Sequence, residues 1–337
     1  MSFRLLVALA SLVLSHHALA ISVNLNPATS LRFASLDEGR RALAQADEFS
    51  AALSPFDRSV RRRSADAVSE AQFLDFASNQ VLPWTAADAS VLRDVLRQVG
   101  ARFYAKRLRF PSLILMVKTS GQEEGNAPYT RGSAIVLPAG VLRESRDTLH
   151  EILVHELFHV LTDHNPALKD SLYEVIGFGH CGSLRLPPDL EARRITNPDS
   201  PSSQYCTSLG SSSSGEVVFP VLLSEVERYD PRQHRELFRY IGLDLLVAHW
   251  RDGAWHPTYA NGELARLSGD QFSAFMARIG RNTSTSAHPE EILADNFVML
   301  VNGARNLPSP WVVSAIDRVL GWSQDAGWRS TQAVFGR

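Results

Sequence analysis

The chain has 337 residues, 45% of them hydrophobic, and a formal charge of −2. That length can bury a sizeable core in one large domain or two lobes. The near-neutral balance gives no basis for a nucleic-acid partner or an acidic membrane surface.

The N-terminus is distinctive. Arg4 precedes the apolar run Leu5 to Leu14, and Ala18-Leu19-Ala20 supplies the small residues a signal peptidase prefers. This layout predicts a cleaved secretory signal over 1–20. The apolar run is shorter than the roughly 20 residues a membrane-spanning helix needs. Residues 21–337 are expected to form one exported domain, periplasmic or secreted, without membrane contact after cleavage. An N-lobe of about 21–165 and a C-lobe of about 166–337 divide it.

The first hundred residues read as mainly helical. Leu36 to Leu53 alternates apolar and charged positions at helical spacing and ends before Pro55. The run Arg58 to Arg63 reads as a solvated basic face. Ser69-Glu70-Ala71-Gln72 is a capping box ahead of Phe73 and Phe76. Thr85 or Asp88 caps a longer helix through Val91, Leu92, Val95, Leu96, Val99 and Phe103. The pattern then changes: Ser112 to Lys118 and Ser133 to Leu137 read as strands, separated by the polar turn Gly121 to Asn126.

Asp147 starts a helix that runs to about Thr162 and is stopped by Asn165-Pro166, and a further helix spans Ala167 to Ile176. Cys181 and Cys206 are the only cysteines. In an oxidising compartment the pair most simply forms one disulfide around the proline-bearing loop between them; the alternative is two metal thiolates beside His180. Thr207 to Gly215 is Ser/Gly-rich and reads as a surface loop. Val217 to Leu223 and Leu237 to His249 read as strands, the second interrupted at Gly242. Helices are expected over Asp270 to Ile279, Glu290 to Asn302 behind Pro289, and Trp311 to Leu320. Helices and strands fall in separate blocks, so the class is α+β.

The chemistry concentrates in Val154-His155-Glu156-Leu157-Phe158-His159-Val160-Leu161. Two histidines four apart project from one helix face, so both imidazoles can reach one divalent ion. Glu156 points toward the same cavity and can act as general base on a water activated there. The uncharged, apolar neighbours from Ile152 to Leu161 are those of a helix buried beneath a site, where histidines persist only when satisfied.

On these residues the chain resembles the HExxH zincin metallopeptidases. Metzincins place a third histidine six residues after the second, behind a glycine turn. Here His164 follows His159 by five residues with no glycine, about 500° further round a continuous helix and off the ligand face. The gluzincin pattern is closer, since a second helix carries His288-Pro289-Glu290-Glu291-Ile292-Leu293-Ala294-Asp295. The resemblance implies a mainly helical, zincin-like catalytic domain with a small antiparallel or mixed sheet edging the cleft. It implies one Zn²⁺ held by His155, His159 and Glu291, with Glu156 as catalytic base and Asp295 orienting a histidine. Glu290 and His164 remain alternatives for the third ligand. The long stretch between His159 and Glu291 implies an insertion holding the cysteine loop and the later strands.

By the same analogy Ser133 to Leu137 forms the cleft rim, where an extended peptide adds by backbone hydrogen bonds. Tyr240, Tyr259, His256 and His288 are available to stabilise an oxyanion. The implied activity is hydrolysis of a peptide or protein substrate. The competing readings are a zinc hydrolase of a non-peptide amide or cell-wall crosslink, and a non-catalytic exported zinc-containing binding protein.

Overall fold

The computed structural model describes residues 22–202, 204–208, 215–233, 236–283 and 288–323. The expected leader, 1–20, and positions 209–214 of the Ser/Gly-rich stretch lie outside the described residues. Thr207 and Ser208, assigned to that loop, instead end a strand.

Strands β1 (Ser22–Asn26) and β2 (Thr29–Phe33) open the chain as a hairpin that the helical reading of this region missed. The span expected as one helix before Pro55 is two, α1 (Leu36–Ala44) and α2 (Glu48–Ala52), because Asp47 and Ser50 form a second capping box inside it. Then follow α3 (Pro55–Arg62), α4 (Glu70–Asn79) and α5 (Ala86–Phe103). Ser69 with Gln72 caps α4, and Thr85 with Asp88 caps α5, so the two residues weighed for that cap act together. Next come β3 (Leu113–Thr119), β4 (Tyr129–Arg131) and β5 (Ala134–Pro138).

These five strands make a mixed sheet in the order β1-β2-β3-β5-β4, with β2, β3 and β5 parallel and the two edges antiparallel. Both faces are covered. Ile114, Met116, Ile135 and Leu137 enter the main core with α5, while Val117, Val136 and Ala134 meet Leu43, Phe49 and Phe73 of α1, α2 and α4. Double coverage explains why β3 and β5 read as continuous apolar runs and not as alternations. Each fully buried aliphatic side chain here contributes about 1.5–3 kcal/mol.

The 19-residue helix α6 (Arg146–His164), capped by Ser145, lies in the main core, followed by α7 (Pro166–Val175). A second sheet then forms from β6 (Phe178–His180), β7 (Tyr205–Ser208), β8 (Val217–Ser224), β9 (Ile241–Arg251) and β10 (Ala254–Pro257), antiparallel throughout, with the short α8 (Pro188–Glu191) between β6 and β7. Leu237 to Arg239, expected as strand, is a helical turn before β9. Strands β11 (Tyr259–Ala260) and β12 (Glu263–Leu264) form a ribbon. Helices α9 (Gly269–Ile279), α10 (Pro289–Asn302) and α11 (Pro310–Leu320) complete the described chain.

The class is α+β, but the expectation of a mainly helical domain with one small sheet is overturned by two five-stranded sheets. Short strands such as β1, β2, β6 and β7 carry too few residues for a visible period, which is why the helical pattern dominated. Cys181 and Cys206 form a disulfide between the end of β6 and β7, so they are not metal thiolates. This pairing fits an oxidising, exported compartment. Among the described residues no helix is long and apolar enough to cross a membrane.

Candidate metal site and its cleft

Helices α6 and α10 bring the site together. Phe158 packs on Phe297 with ring centroids 5.4 Å apart, and Ile292, Leu293 and Ala294 enter the same core as Leu153, Leu157 and Leu161. The start of α10 is fixed by His288, whose Nδ1 accepts from the Glu290 N–H at 3.2 Å, and by Pro289 in the first turn.

One turn apart on α6, the His155 and His159 rings lie 4.7 Å apart. The Nε2 atoms of both face the same carboxylate oxygen: Glu291 Oε2 is 3.1 Å from His155 Nε2 and 3.9 Å from His159 Nε2. His155, His159 and Glu291 thus form a group that can hold a metal ion. The opposite ring nitrogens are held by carboxylates. His155 Nδ1 is 3.2 Å from Asp295 Oδ1, and His159 Nδ1 is 3.1 Å from Glu290 Oε1. With hydrogens on the Nδ1 atoms, both Nε2 lone pairs point at the shared position.

Two polar atoms test whether an ion belongs there. His159 is 1% exposed and Glu156 4%, and His159 Nε2 and Glu156 Oε2 have no hydrogen-bond partner. Orphaned buried atoms of this kind are costly unless something fills the space between them. The electrostatics agree. Burial alone would lower His159, yet the charges of Asp199 and Glu291 hold it up at about 9. Glu291 is held far below the usual carboxylate range, the pull of His159 and the hydrogen bond from His155 overcoming burial. The pocket is built to hold positive charge at the imidazoles, and a divalent cation fits it.

Glu290 lies outside that group. It lies behind His159 and is fully used: Oε1 accepts from Thr162 at 2.5 Å, Oε2 from Tyr173 at 2.5 Å, and Lys169 Nζ is 3.2 Å away. Although burial opposes ionisation, Lys169 and His159 keep its carboxyl down at about 2. His164 sits exposed at the end of α6. Asp295 lies against His155, on the ring nitrogen that faces away from Glu291.

Sequence reasoning missed the loop from Ile195 to Pro201. Asn197 Nδ2 donates to Glu291 Oε1 at 2.6 Å. Asp199 accepts at Oδ1 from the Thr130 N–H and hydroxyl, each at 2.7 Å, and its carboxylate lies within 4.8 Å of donor atoms of Glu156 and His159. Asn197 Oδ1 in turn accepts from the Asp199 N–H at 3.0 Å. The only local cue was a pair of polar side chains on either side of Pro198.

An anchor beneath this loop corrects a second reading. Arg61, assigned to a solvated basic face, is 2% exposed. It pairs with Asp57 and, at 2.8 Å, with Glu124, and it donates to the Thr196 carbonyl at 2.9 Å. Asp57 Oδ2 accepts from the Thr196 N–H at 2.7 Å. Burial pushes the Glu124 carboxyl up to about 7 although the Arg61 charge pulls it down.

Two cavities flank the ion position and share Pro128. One, about 460 Å³, is lined by Glu151, Ile152, His155, Glu156, Asp295, Val298 and Met299. The other, about 430 Å³, is lined by Asn197, Asp199, His288 and Glu291 with Ile195, Leu222, Phe238 and Ile241. β5, expected as the cleft rim, is hydrogen-bonded on both sides and has no free edge; the edge strand on this side of the sheet is β4, which follows Pro128. Of the residues considered for oxyanion stabilisation, His288 alone lines these cavities. Burial holds it down at about 4, so it is neutral at pH 7. Tyr240 packs against Phe56 and Tyr229, Tyr259 is exposed on β11, and His256 lies opposite His249 on β10.

Comparison with known proteins gives no match among family models, curated proteins or solved structures.

Proposed function

We propose that the protein is an exported, zinc-dependent hydrolase of peptide bonds, a metallopeptidase similar in its site to the gluzincins, acting in the periplasm or outside the cell. The observation that carries this reading is the convergence of His155 Nε2, His159 Nε2 and Glu291 Oε2 near the Glu156 carboxylate, whose Oε2 is unpartnered, with a cavity on each side. Two imidazoles and one carboxylate, leaving a coordination position open, are the donor set of a catalytic zinc site. When bound, zinc would supply Lewis acidity, activating water and polarising a carbonyl.

The chain's own residues do the rest. Glu156 accepts a proton from the attacking water and passes it to the leaving amine. Burial, with the Asp199 charge behind it, pushes this carboxyl above its ordinary value, and a cation bound beside it would favour the ionised form that accepts a proton. Asp295 and Glu290 fix the tautomers of His155 and His159, and Asn197 fixes the Glu291 carboxylate. Retention of a base beside the ligands favours catalysis over a purely structural ion, where Glu156 would have no task.

Zinc content and hydrolysis of denatured protein, measured for wild type and E156Q, test this. About one zinc per chain in both proteins is expected, with activity reduced by at least about 10³-fold in the variant alone. Equal activity in the two, or wild-type protein that binds no zinc, defeats the proposal. Hydrolysis of cell-wall fragments but not of peptides would redirect it to the other amide class.

A further inference from the structure

We propose, building on the hydrolase reading, that Asp199 binds the free amino terminus of the substrate, so that the enzyme removes N-terminal residues from peptides. Three observations lead there.

The first is charge. Glu290 is matched by Lys169, and Arg61 lies between Asp57 and Glu124. Asp199 and Glu291 line one cavity and Asp295 the other, on either side of the two histidines, and a divalent ion offsets only part of their charge. Among the described residues no lysine or arginine pairs with Asp199, whose hydrogen bonds come from the neutral Thr130. A cleft with this excess attracts a cationic group.

The second is distance. A terminal ammonium is separated from the scissile carbonyl carbon by a single Cα, so the acid that binds it must lie within a few ångströms of the reacting centre. The Asp199 carboxylate is within 4.8 Å of donor atoms of both Glu156 and His159. The amine of a lysine side chain, four methylenes away, would need no acid so close.

The third is the edge of the mixed sheet. A polypeptide continuing past the site would pair with β4 through the outward Thr130 N–H, and Asp199 already takes that donor at 2.7 Å. The chain therefore has nowhere to extend by strand addition on this side, and a substrate that ends here loses nothing. Hydrolysis then breaks the first peptide bond, water giving its hydroxyl to the acyl carbon and a proton to the leaving amine. The adjoining cavity of about 430 Å³, walled by Pro198, Leu222, Phe238 and Ile241, suits an apolar first side chain.

The test uses the zinc-loaded full chain with leucyl peptides, free or N-acetylated. Free peptides should be cleaved with kcat/KM at least about 10-fold higher, as a charge-assisted hydrogen bond of about 1.5–3 kcal/mol allows. D199N should remove that preference while zinc, read by chelator competition, still binds tightly enough to fill the site under the assay conditions. Leucinamide should bind the inactive E156Q protein more tightly than N-acetyl-leucinamide in calorimetry, a comparison that needs no change at Asp199. Equal cleavage of blocked and free peptides, still dependent on Glu156, overturns the inference and leaves the hydrolase reading standing. A D199N protein faster on both overturns it too, and marks the loop as a plug. Zinc binding without hydrolysis of any peptide would sink both.

Discussion

The helix pair α6 and α10 and the disulfide-bounded stretch from Cys181 to Cys206 supply the same site by different means. The helices carry His155, Glu156, His159, Glu290, Glu291 and Asp295 at fixed offsets, so one helical period places each donor. The stretch carries Asn197 and Asp199 on irregular backbone, and their positions come from contacts far away in sequence: Asp57, Arg61 and Glu124 on one side, Thr130 on the other. Function written into a helix follows from spacing. Function written into a loop exists only once the rest of the chain has folded around it.

Changes that reach one region and spare the other test this contrast. The largest effect is expected from R61M. Removing the guanidinium leaves Asp57 and Glu124 buried without compensation, at a cost of about 3–5 kcal/mol. Chemical denaturation should register that loss, and hydrogen exchange should show the Thr196 amide opening. Zinc affinity should change little, because α6 and α10 carry His155, His159 and Glu291. If zinc binding were lost along with the loop, the two regions would be one cooperative unit and the contrast would fail.

Opening the disulfide with C181S/C206S should destabilise by about 3 kcal/mol on the chain-entropy account, again with zinc affinity retained. A fall in zinc affinity as large as the fall in stability would count against the separation.

The anchor also has a pH signature. Burial raises the Glu124 carboxyl from 4.5 to about 7 in the folded protein. A group raised on folding contributes its stability in full below the unfolded value, and that contribution disappears as pH rises through the folded value. This contribution should therefore decline between pH 4.5 and 7, by on the order of 2–3 kcal/mol, and E124Q should flatten the slope. An unchanged slope would show that the carboxyl is not the group responsible.

The smallest effect belongs to the helices. D295A should weaken zinc binding by about 10–100-fold, the usual cost of losing the partner of a ligand histidine, and leave the loop's hydrogen exchange untouched.

How far the sequence could be read follows the same division. His155, Glu156 and His159 were legible because a period of four on an apolar helix has few other meanings, and Glu291 with Asp295 because their spacing repeats that logic. Glu290 was harder. Its neighbourhood contains no sign that Thr162, Tyr173 and Lys169 would surround it, so ligand and supporting partner could not be told apart. The basic run Arg58 to Arg63 misled for a related reason. Hydropathy describes what an arginine tends to do, while Arg61 is buried by two acids that lie 4 and 63 residues away. The strands β3 and β5 were visible as apolar runs, but that both faces of their sheet would be covered was not, and the short strands of the second sheet lacked the length to show any alternation.

The bond from the Thr130 N–H to Asp199 has one more consequence. A sheet edge with free donors is an invitation to any other extended chain, including another copy of the same protein, and such contacts are how soluble proteins begin to stack. Here the last outward donor of β4 is closed by a carboxylate delivered from the loop, and a charge stands where a neighbouring strand would have to lie. A cut between Asn197 and Ser200 would therefore do more than disturb the cleft: it would leave an unguarded edge, and a concentration-dependent tendency to self-associate.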